Sequence, residues 1–533
     1  MTTTSKIFDP ETNADLQARY KDSSTDELLK VIVSQNSTIE NLKQMLFQKS
    51  ERRNEDPVGN KTLFNEAETI CDSVEAEASS SETPDPTTNK PDPVKRRGKR
   101  RPLPKNLARV RVEHDLSESD KICPKHLSPL IRIGEKMTEQ LEVIPATMKV
   151  IENVTFSYKC PCCSNENETA EEKIITSAME PQPIPKSMAT PTLLAYLATA
   201  KYQDGLPLYR QEKIFARYGV DLGRTTMARW MVKAGTLVQP LINMMYEDLL
   251  DRKVIGCDET PLQVLDEPNR TPQQTSYMWV TCSKESAPII AFHYYEGRGA
   301  KVAAELLSGY SGTVVCDGLK TYDSFASQSG AKLAGCMAHI RRKFYLAEKA
   351  TKKADPKAIP KAKFPLDLIK KIYQIEKEIN GEPPDKKLAM RQKHSKPLME
   401  RFKAFLDEQK PKILPKSLIG KAVNYALDQW EKMQVFLEEP LVPIDNNATE
   451  RCIRPYVIGR NNWTFSQTPA GAHASANLYS LIESAKANGI EPFSYLSLIF
   501  KELPKITETN DYLKLLPHNT VQHFDLKTYQ VPQ

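Results

Sequence analysis

The chain has 533 residues, roughly three to four times the ~150 residues of a typical domain, so we expect several domains. Lys and Arg number 74 against 68 for Asp and Glu, and the resulting net charge of +6 is only a weak sign of a polyanionic partner. No apolar run reaches 18 residues and the first residues do not resemble a secretory signal, which excludes membrane and secreted classes and predicts a cytoplasmic protein. Ten clustered cysteines indicate metal binding in place of disulfides.

Two different segments precede the folded part of the chain. Within residues 1–50, five apolar residues fall on one helical face: Leu28, Ile32, Ile39, Leu42 and Leu46. This spacing predicts a coiled-coil helix that forms a dimer contact, and one amphipathic helix packed on its own domain is the alternative. Residues 51–105 have the composition of an unfolded linker, acidic at first and then basic, with six cations among the seven residues Lys95–Arg101.

Two short chelating pairs predict a zinc-finger-like β module in residues 106–180. A Cys-x2-His pair and a Cys-x2-Cys pair flank strand-like sequence and are separated by 33 residues. Structural zinc takes four such ligands in a tetrahedron. The ligands expected here are Cys123, His126, Cys160 and Cys163. Cys162 leaves the last ligand open, and ordinary thiols without a metal are the other alternative.

The pattern becomes helical in residues 181–250 and predicts a helix-turn-helix. Two short helices separated by a Gly-containing turn precede a third that opens at Gly-Arg-Thr-Thr. In this motif the early residues of the second helix lie in the major groove of DNA. The residues expected to face DNA are Arg224, Thr225, Thr226 and Arg229, while Leu222, Met227 and Trp230 should pack inward. A plain helical bundle is the alternative.

Carboxylates follow two of the short strands that begin after Lys253. Asp258 ends the strand VIGCDE and Asp317 ends TVVCDG, 59 positions later. A two-metal phosphoryl-transfer site requires such oxygen ligands at neighbouring strand ends, although an Asp at a strand end is often a simple turn former. Glu450 in DNNATERCIRP is the best third ligand, and its rivals are Asp445, Glu438 and Glu439. Glu259 should point to the opposite face of its strand.

In this order, and over nearly the whole length, these motifs resemble the insertion-sequence-sixty-six family of DDE transposases. The matching fragments are LFQKSERR, RRPLP, YKCPCC, GRTTMARW, CDET, CDGLKTY, CMAHIRRKF and DNNATERCIRPYVIGRNNWTFS. The resemblance implies a multidomain α/β protein whose RNase-H-like mixed β-sheet core uses Asp258, Asp317 and Glu450 to bind Mg²⁺ or Mn²⁺. The order read from the strand pattern agrees with such a core: three strands, a helix, a strand, a short helix and a strand.

The resemblance also sets the expected domain order and reaction. The core should occupy residues 251–350 and 441–505, with a helical insertion at 351–440 and a tail at 506–533. The expected reaction is metal-dependent cleavage at terminal inverted repeats, followed by transfer of the freed strand to target DNA. Further expected contacts to DNA come from basic residues of two helices, unless these form only a solvated surface: His339, Arg341, Arg342 and Arg451.

Two functions of other classes compete with this interpretation. A zinc and helix-turn-helix regulator would bind DNA without the carboxylates, and a nuclease of the same fold would cut without joining. An inactive copy of the element is a further alternative. We expect a homodimer or higher oligomer that associates with the nucleoid, with accessory proteins of the same element as candidate partners.

Overall fold

The computed structural model describes residues 148–159 and 174–526, except 284, 286, 355, 356, 358 and 359. The predicted coiled-coil helix, the charged linker and all four expected zinc ligands lie outside these residues, so those predictions stay predictions. The described residues divide into two compact units, of which one holds residues 148–159 and 174–179 and the other the described residues from 180 onward. Among the described residues, no helix has the length and apolar character needed to span a bilayer.

The described part of residues 80–179 contains one small antiparallel ladder. Strand β1 (Ser157–Lys159) pairs with β2 (Ile174–Thr176), and Tyr158 lies opposite Ile175. This ladder fits the β character that the sequence predicts for the segment.

Four helices open the larger unit: α1 (Pro191–Tyr202), α2 (Leu208–Arg217), α3 (Arg224–Leu237) and α4 (Gln239–Leu250). Helix α1 begins with proline at its first position, where no backbone N–H is needed, and the Thr190 hydroxyl accepts the N–H of Leu193 at 3.2 Å. Gly205 and Gly219 adopt positive φ angles of 68° and 75° in the two turns between the first three helices. The predicted order of short helices and turns is therefore confirmed.

A five-stranded mixed sheet follows. Its elements are β3 (Val254–Gln263), β4 (Thr275–Ser283), β5 (Ile289–Tyr295), α5 (Ala300–Leu306), β6 (Thr313–Val315), α6 (Lys320–Ser329) and β7 (Lys332–Ala334). The strands lie in the order β5-β4-β3-β6-β7. Strands β3, β4 and β5 pair antiparallel, whereas β6 is parallel to both β3 and β7. The sequence of strands and helices is the one predicted.

The next segment is helical, as expected. It contains α7 (Met337–Ala354), α8 (Lys363–Glu378), α9 (Pro384–Met390), α10 (Lys396–Gln409), α11 (Leu418–Asp428) and α12 (Trp430–Glu438). A π-helical turn, Arg391–Ser395, joins α9 to α10. The fully buried Arg391 side chain donates to both carboxylate oxygens of Glu376, at 2.8 and 2.6 Å, and to the carbonyl of Phe436 at 2.8 Å. Arg391 therefore ties α8 to the end of α12.

Five helices follow in the described part of the chain: α13 (Asn447–Trp463), α14 (Pro469–Ala487), α15 (Pro492–Glu502), α16 (Thr509–Leu515) and α17 (Pro517–His523). Helix α14 packs along the edge strand β5. The hydroxyl of Ser480 accepts the N–H of Phe292 at 2.7 Å, and that of Ser484 accepts the N–H of Ile290 at 2.9 Å. These bonds satisfy strand groups that an uncovered edge would leave exposed.

An apolar core joins the helical segment to the sheet. Val315 of β6 and Ala334 of β7 pack with buried residues of that segment, including Met337, Phe344, Phe402, Val423 and Phe436. Burial of this kind contributes about 25 cal/mol per Å² of apolar surface. The helical segment is therefore anchored on the sheet face that carries Val315 and, two residues further along the chain, Asp317.

Candidate active site

Asp258 lies within β3 and Asp317 follows the neighbouring parallel strand β6, at the same level of the sheet. The prediction that Asp258 ends its strand is wrong, because the antiparallel ladder with β4 continues to Gln263. Strand β3 pairs with β6 in the register Gly256 opposite Val315, and each aspartate lies two residues further along its chain. Because alternate strand residues share a face, both carboxylates belong to the face of Gly256 and Val315. The backbone N–H of Leu319 donates to Asp317 Oδ1 at 2.9 Å and holds that carboxylate in the turn after β6.

Helix α13 brings Glu450 to this face. A Cβ atom built on Gly256 would lie 1.9 Å from Thr449 Oγ1, so β3 and the first turn of α13 touch directly. Asn446 is the N-cap residue of the helix. Its Nδ2 donates to the carbonyl of Cys257 at 3.0 Å, and its own carbonyl accepts the N–H of Glu450 at 3.0 Å. Glu450 is only 6% exposed.

The three carboxylates act on one another. The pKa of Asp258 is raised well above its usual value, first by burial and then by the negative charges of Glu259, Glu450 and Asp317. The structure thus brings the three predicted residues together. Buried like charges repel unless a cation lies between them, and carboxylate oxygens are ligands that hard divalent ions prefer. The donor set therefore fits Mg²⁺ or Mn²⁺.

The Glu259 side chain contacts Tyr322 and Arg298 on the opposite face of β3. Its Oε2 accepts a hydrogen bond from the Tyr322 hydroxyl at 3.1 Å, and Arg298 approaches its other oxygen at 4.0 Å. Tyr322 also contacts Cys257, two residues earlier on the same face. Burial, together with the charge of Asp317, raises the pKa of Glu259 to about 7. These contacts fit the expectation that its side chain points away from Asp258.

Two of the rival carboxylates have other partners. Asp445 accepts the N–H of Asn447 at 3.1 Å and the hydroxyl of Tyr373 at 2.6 Å, so it helps to start α13. Glu439 accepts Thr313 Oγ1 and Lys332 Nζ, both at 2.7 Å. Thr313 is the first residue of β6 and Lys332 is the first residue of β7. Glu439 therefore lies at the starting ends of these strands, whereas Asp317 follows the other end of β6.

His339 lies beside Glu450, with 3.7 Å between its Nδ1 and Glu450 Oε1. Burial is the main cause that lowers its pKa to about 4, and the positive charge of Arg342 adds to it. Cys336 also lies here, and its sulfur accepts the N–H of Asn446 at 3.2 Å. The reasoning from sequence missed Cys336, although its Cys-x2-His spacing to His339 repeats that of the first expected zinc pair.

The other residues expected to contact DNA differ in exposure. Arg451 is exposed next to Glu450, while Arg341 and Arg342 on α7 are partly buried. On α3, Arg224, Thr225 and Arg229 are exposed and Thr226 is partly buried. The inward set is confirmed, since three residues are at most 6% exposed: Leu222, Met227 and Trp230. Helix α3 thus presents the polar face that the helix-turn-helix prediction requires.

Models of known protein families match most of the chain. The model of the Transposase IS66 family matches residues 186–474, a span that contains all three carboxylates. The chain belongs to the IS66 transposase family. In this IS66 family member, residues 480–518 match the IS66 C-terminal element and residues 120–164 the zinc-finger binding domain of transposase IS66. Residues 35–112 match a model described as Transposase C of IS166 homeodomain. The family predicted from the motifs is confirmed.

Relatives of this IS66 family member include two proteins of Sinorhizobium fredii (strain NBRC 101917 / NGR234). The uncharacterized protein y4jD is 30% identical over 430 residues, which are 78% of this chain and 81% of y4jD. The uncharacterized protein y4qI is 30% identical over 403 residues, 73% of this chain and 72% of y4qI. The similarity extends over most of each chain, and neither name describes an activity.

Proposed function

We propose that this IS66 family member is a DDE transposase that cleaves DNA at the terminal inverted repeats of its element and joins the freed ends to target DNA. The meeting of Asp258, Asp317 and Glu450 on one sheet face supports this function. We further propose that the five-stranded sheet is an RNase-H-like core. Its strand order and its three antiparallel strands followed by two parallel ones are what such a core requires.

Each part of the proposed site has a physical role. Asp258, Asp317 and Glu450 would hold Mg²⁺ or Mn²⁺, which supplies positive charge at the attacking and leaving oxygens of phosphoryl transfer. Asn446 holds the first turn of α13 against β3, and the N–H of Leu319 orients Asp317. The basic side chains around this cluster would contact the flanking phosphates: His339, Arg341, Arg342 and Arg451.

Substitution of Glu450 tests the catalytic assignment. Glu450→Gln keeps the size of the side chain but removes the charge that a hard cation requires. Cleavage and joining of a labelled element end should both fall by orders of magnitude, as in Asp258→Asn and Asp317→Asn, while binding of that DNA persists. Asp445→Asn is the matched control on the same helix start. Full activity in Glu450→Gln together with lost activity in Asp445→Asn would transfer the role to Asp445.

The products separate the proposed function from its rivals. A transposase joins the cut end to target DNA in the presence of Mg²⁺, and this joining is visible as a longer labelled strand on a denaturing gel. A nuclease gives the cut strand alone, and a regulator gives neither product. Cleavage without joining, under conditions where both DNA substrates are bound, would refute strand transfer.

We propose that residues 181–250 recognise the element ends through α3. Arg229→Ala should weaken binding to the terminal repeat by about 1–3 kcal/mol if the side chain meets a guanine edge, and should weaken binding to random DNA much less. Lys233→Ala, on the same helix, is the control. Fluorescence anisotropy with both duplexes measures the difference, and equal losses on the two would reduce Arg229 to a phosphate contact.

We also propose zinc for residues 106–180, supported by the matched zinc-finger model at residues 120–164. The full chain should hold one more zinc ion than its Cys123→Ala, Cys160→Ala variant, because structural zinc needs all four ligands. Equal zinc contents by elemental analysis would contradict this. The remaining proposals are a dimer or higher oligomer through residues 1–50, and the domain order core, insertion, core given by 251–350, 351–440 and 441–505.

A further inference from the structure

We propose that Cys336, His339 and Glu450 form a binding site for a borderline divalent cation of the Zn²⁺ class. The site shares Glu450 with the carboxylate cluster but differs from it in two of its donors. An ion bound at this site engages Glu450 and should inhibit the Mg²⁺-dependent reaction. This expected inhibition rests on the proposed function, whereas binding of the ion does not.

The three ligand atoms come from two helix starts that pack together. Cys336 directly precedes α7, His339 lies in its first turn, and Glu450 lies in the first turn of α13. The ligand atoms all lie within 4.8 Å of one another, and His339 Nδ1 is 3.7 Å from Glu450 Oε1. Zinc bonds of about 2.0–2.3 Å in a tetrahedron separate donor atoms by roughly 3.3–3.6 Å. The site therefore closes with displacements of about 1 Å or less.

Two backbone N–H groups point at the sulfur. The N–H of Asn446 donates to Cys336 Sγ at 3.2 Å, and the N–H of His339 is a second donor to the same sulfur. Burial and the negative charges of Asp445 and Glu450 raise the pKa of Cys336, and the two N–H groups oppose this rise, so a bound cation has to displace the thiol proton. The same Asn446 caps α13, so one residue fixes both the sulfur and the helix that carries Glu450.

The donor types select the class of ion. Thiolate and imidazole favour zinc and other later transition metals, whereas Mg²⁺ takes oxygen ligands and keeps much of its water. Cys336 is 4% exposed and the Nδ1 atom of His339 is buried, while the His339 side chain as a whole is 21% exposed. Two overlapping donor sets thus meet at Glu450, one hard and one borderline.

Cobalt is a suitable probe because Co²⁺ takes the same ligands as zinc and shows a thiolate-to-metal absorption band. Titration of the full chain should show one more thiolate-bound Co²⁺ for the unaltered protein than for Cys336→Ser. Cys282→Ser is the matched control, since Cys282 is also a buried thiol, on β4, and its loss should leave the cobalt spectrum unchanged. His339→Ala retains every thiol and should weaken this Co²⁺ at least tenfold.

Full cobalt affinity and an unaltered thiolate band in Cys336→Ser would refute the proposed site. If that variant does not fold, as judged by circular dichroism, unaltered cobalt affinity in His339→Ala would refute it instead. The cobalt bound by Cys123, His126, Cys160 and Cys163 is common to all these variants and cancels in the comparison.

Inhibition separates this site from the proposed function. In cleavage assays at fixed Mg²⁺, the Zn²⁺ concentration that halves the activity should rise at least tenfold in Cys336→Ser, relative to the zinc-free rate of that variant. An unchanged zinc concentration would refute the competition for Glu450. Absence of cleavage in Mg²⁺ for the unaltered chain would overturn the transposase proposal, and the cobalt spectra alone would then decide the site.

Discussion

Gly256→Ala should displace the helix that carries Glu450. Gly256 lies on β3 two residues before Asp258, and a Cβ atom at this position would lie 1.9 Å from Thr449 Oγ1 and 3.2 Å from Thr449 Cβ. Both atoms belong to the first turn of α13, and Thr449 is 2% exposed. The strand is held in the sheet by β4 and β6 on its two sides, so we expect α13 to give way before β3 does.

The size of the effect follows from this overlap. Separation of the new methyl group from Thr449 Oγ1 to an ordinary contact distance of about 3.4 Å requires a shift of about 3.4 − 1.9 = 1.5 Å. Overpacking of a buried contact costs about 1–3 kcal/mol of unfolding free energy. A misplacement of about 1 Å in a catalytic group lowers the rate by roughly 100-fold. Activity should therefore fall far more than stability.

Thermal unfolding and DNA cleavage measure the two effects separately. The matched control is the double variant Gly256→Ala, Thr449→Ala, because removal of Oγ1 leaves the milder contacts with Thr449 Cβ at 3.2 Å and Asn446 Oδ1 at 3.4 Å. The double variant should recover part of both losses relative to Gly256→Ala, which a double-mutant cycle quantifies. Gly256→Ala with unaltered stability and cleavage would refute the close packing of β3 against α13.

Three further predictions concern polar groups that are buried or partly buried. Arg391→Leu should lower the unfolding free energy by about 3–5 kcal/mol in denaturant titrations, because Glu376 loses its bidentate partner, and Glu376→Leu added to it should restore part of the loss. Tyr373→Phe removes the 2.6 Å hydrogen bond to Asp445 and should cost about 1.5–3 kcal/mol, so an unchanged melting temperature would count against it. Burial lowers the pKa of Lys201 from 10.5 to about 8, so the unfolded chain binds more protons between these pH values and stability should rise with pH over this interval. Lys201→Met should flatten that rise, and parallel stability curves for the two proteins would contradict the assignment.

The chain sequence by itself was enough for features that depend on local periodicity. The change from helical to strand spacing near Lys253 correctly predicts the order of elements from β3 to β7, because alternation and turn residues act over a few positions. The inward packing of Met227 and Trp230 follows from helical spacing in the same way. The position of Asp317 after β6 is also a local property. Asp258, in contrast, lies inside β3, because the ladder with β4 extends the strand to Gln263, and the shared level of the two aspartates needed the β3–β6 register.

Tertiary structure alone decided which carboxylate joins the two aspartates. Glu450 follows Asp317 by 450 − 317 = 133 residues, and no local pattern extends over such a distance. Its place depends on the packing of α13 on Gly256 and on the engagement of Asp445 by Tyr373. The approach of Cys336 to Glu450 has the same origin. Contacts between distant residues arise from the packing of whole elements, in which shape and burial act together, whereas propensity and spacing describe each element by itself.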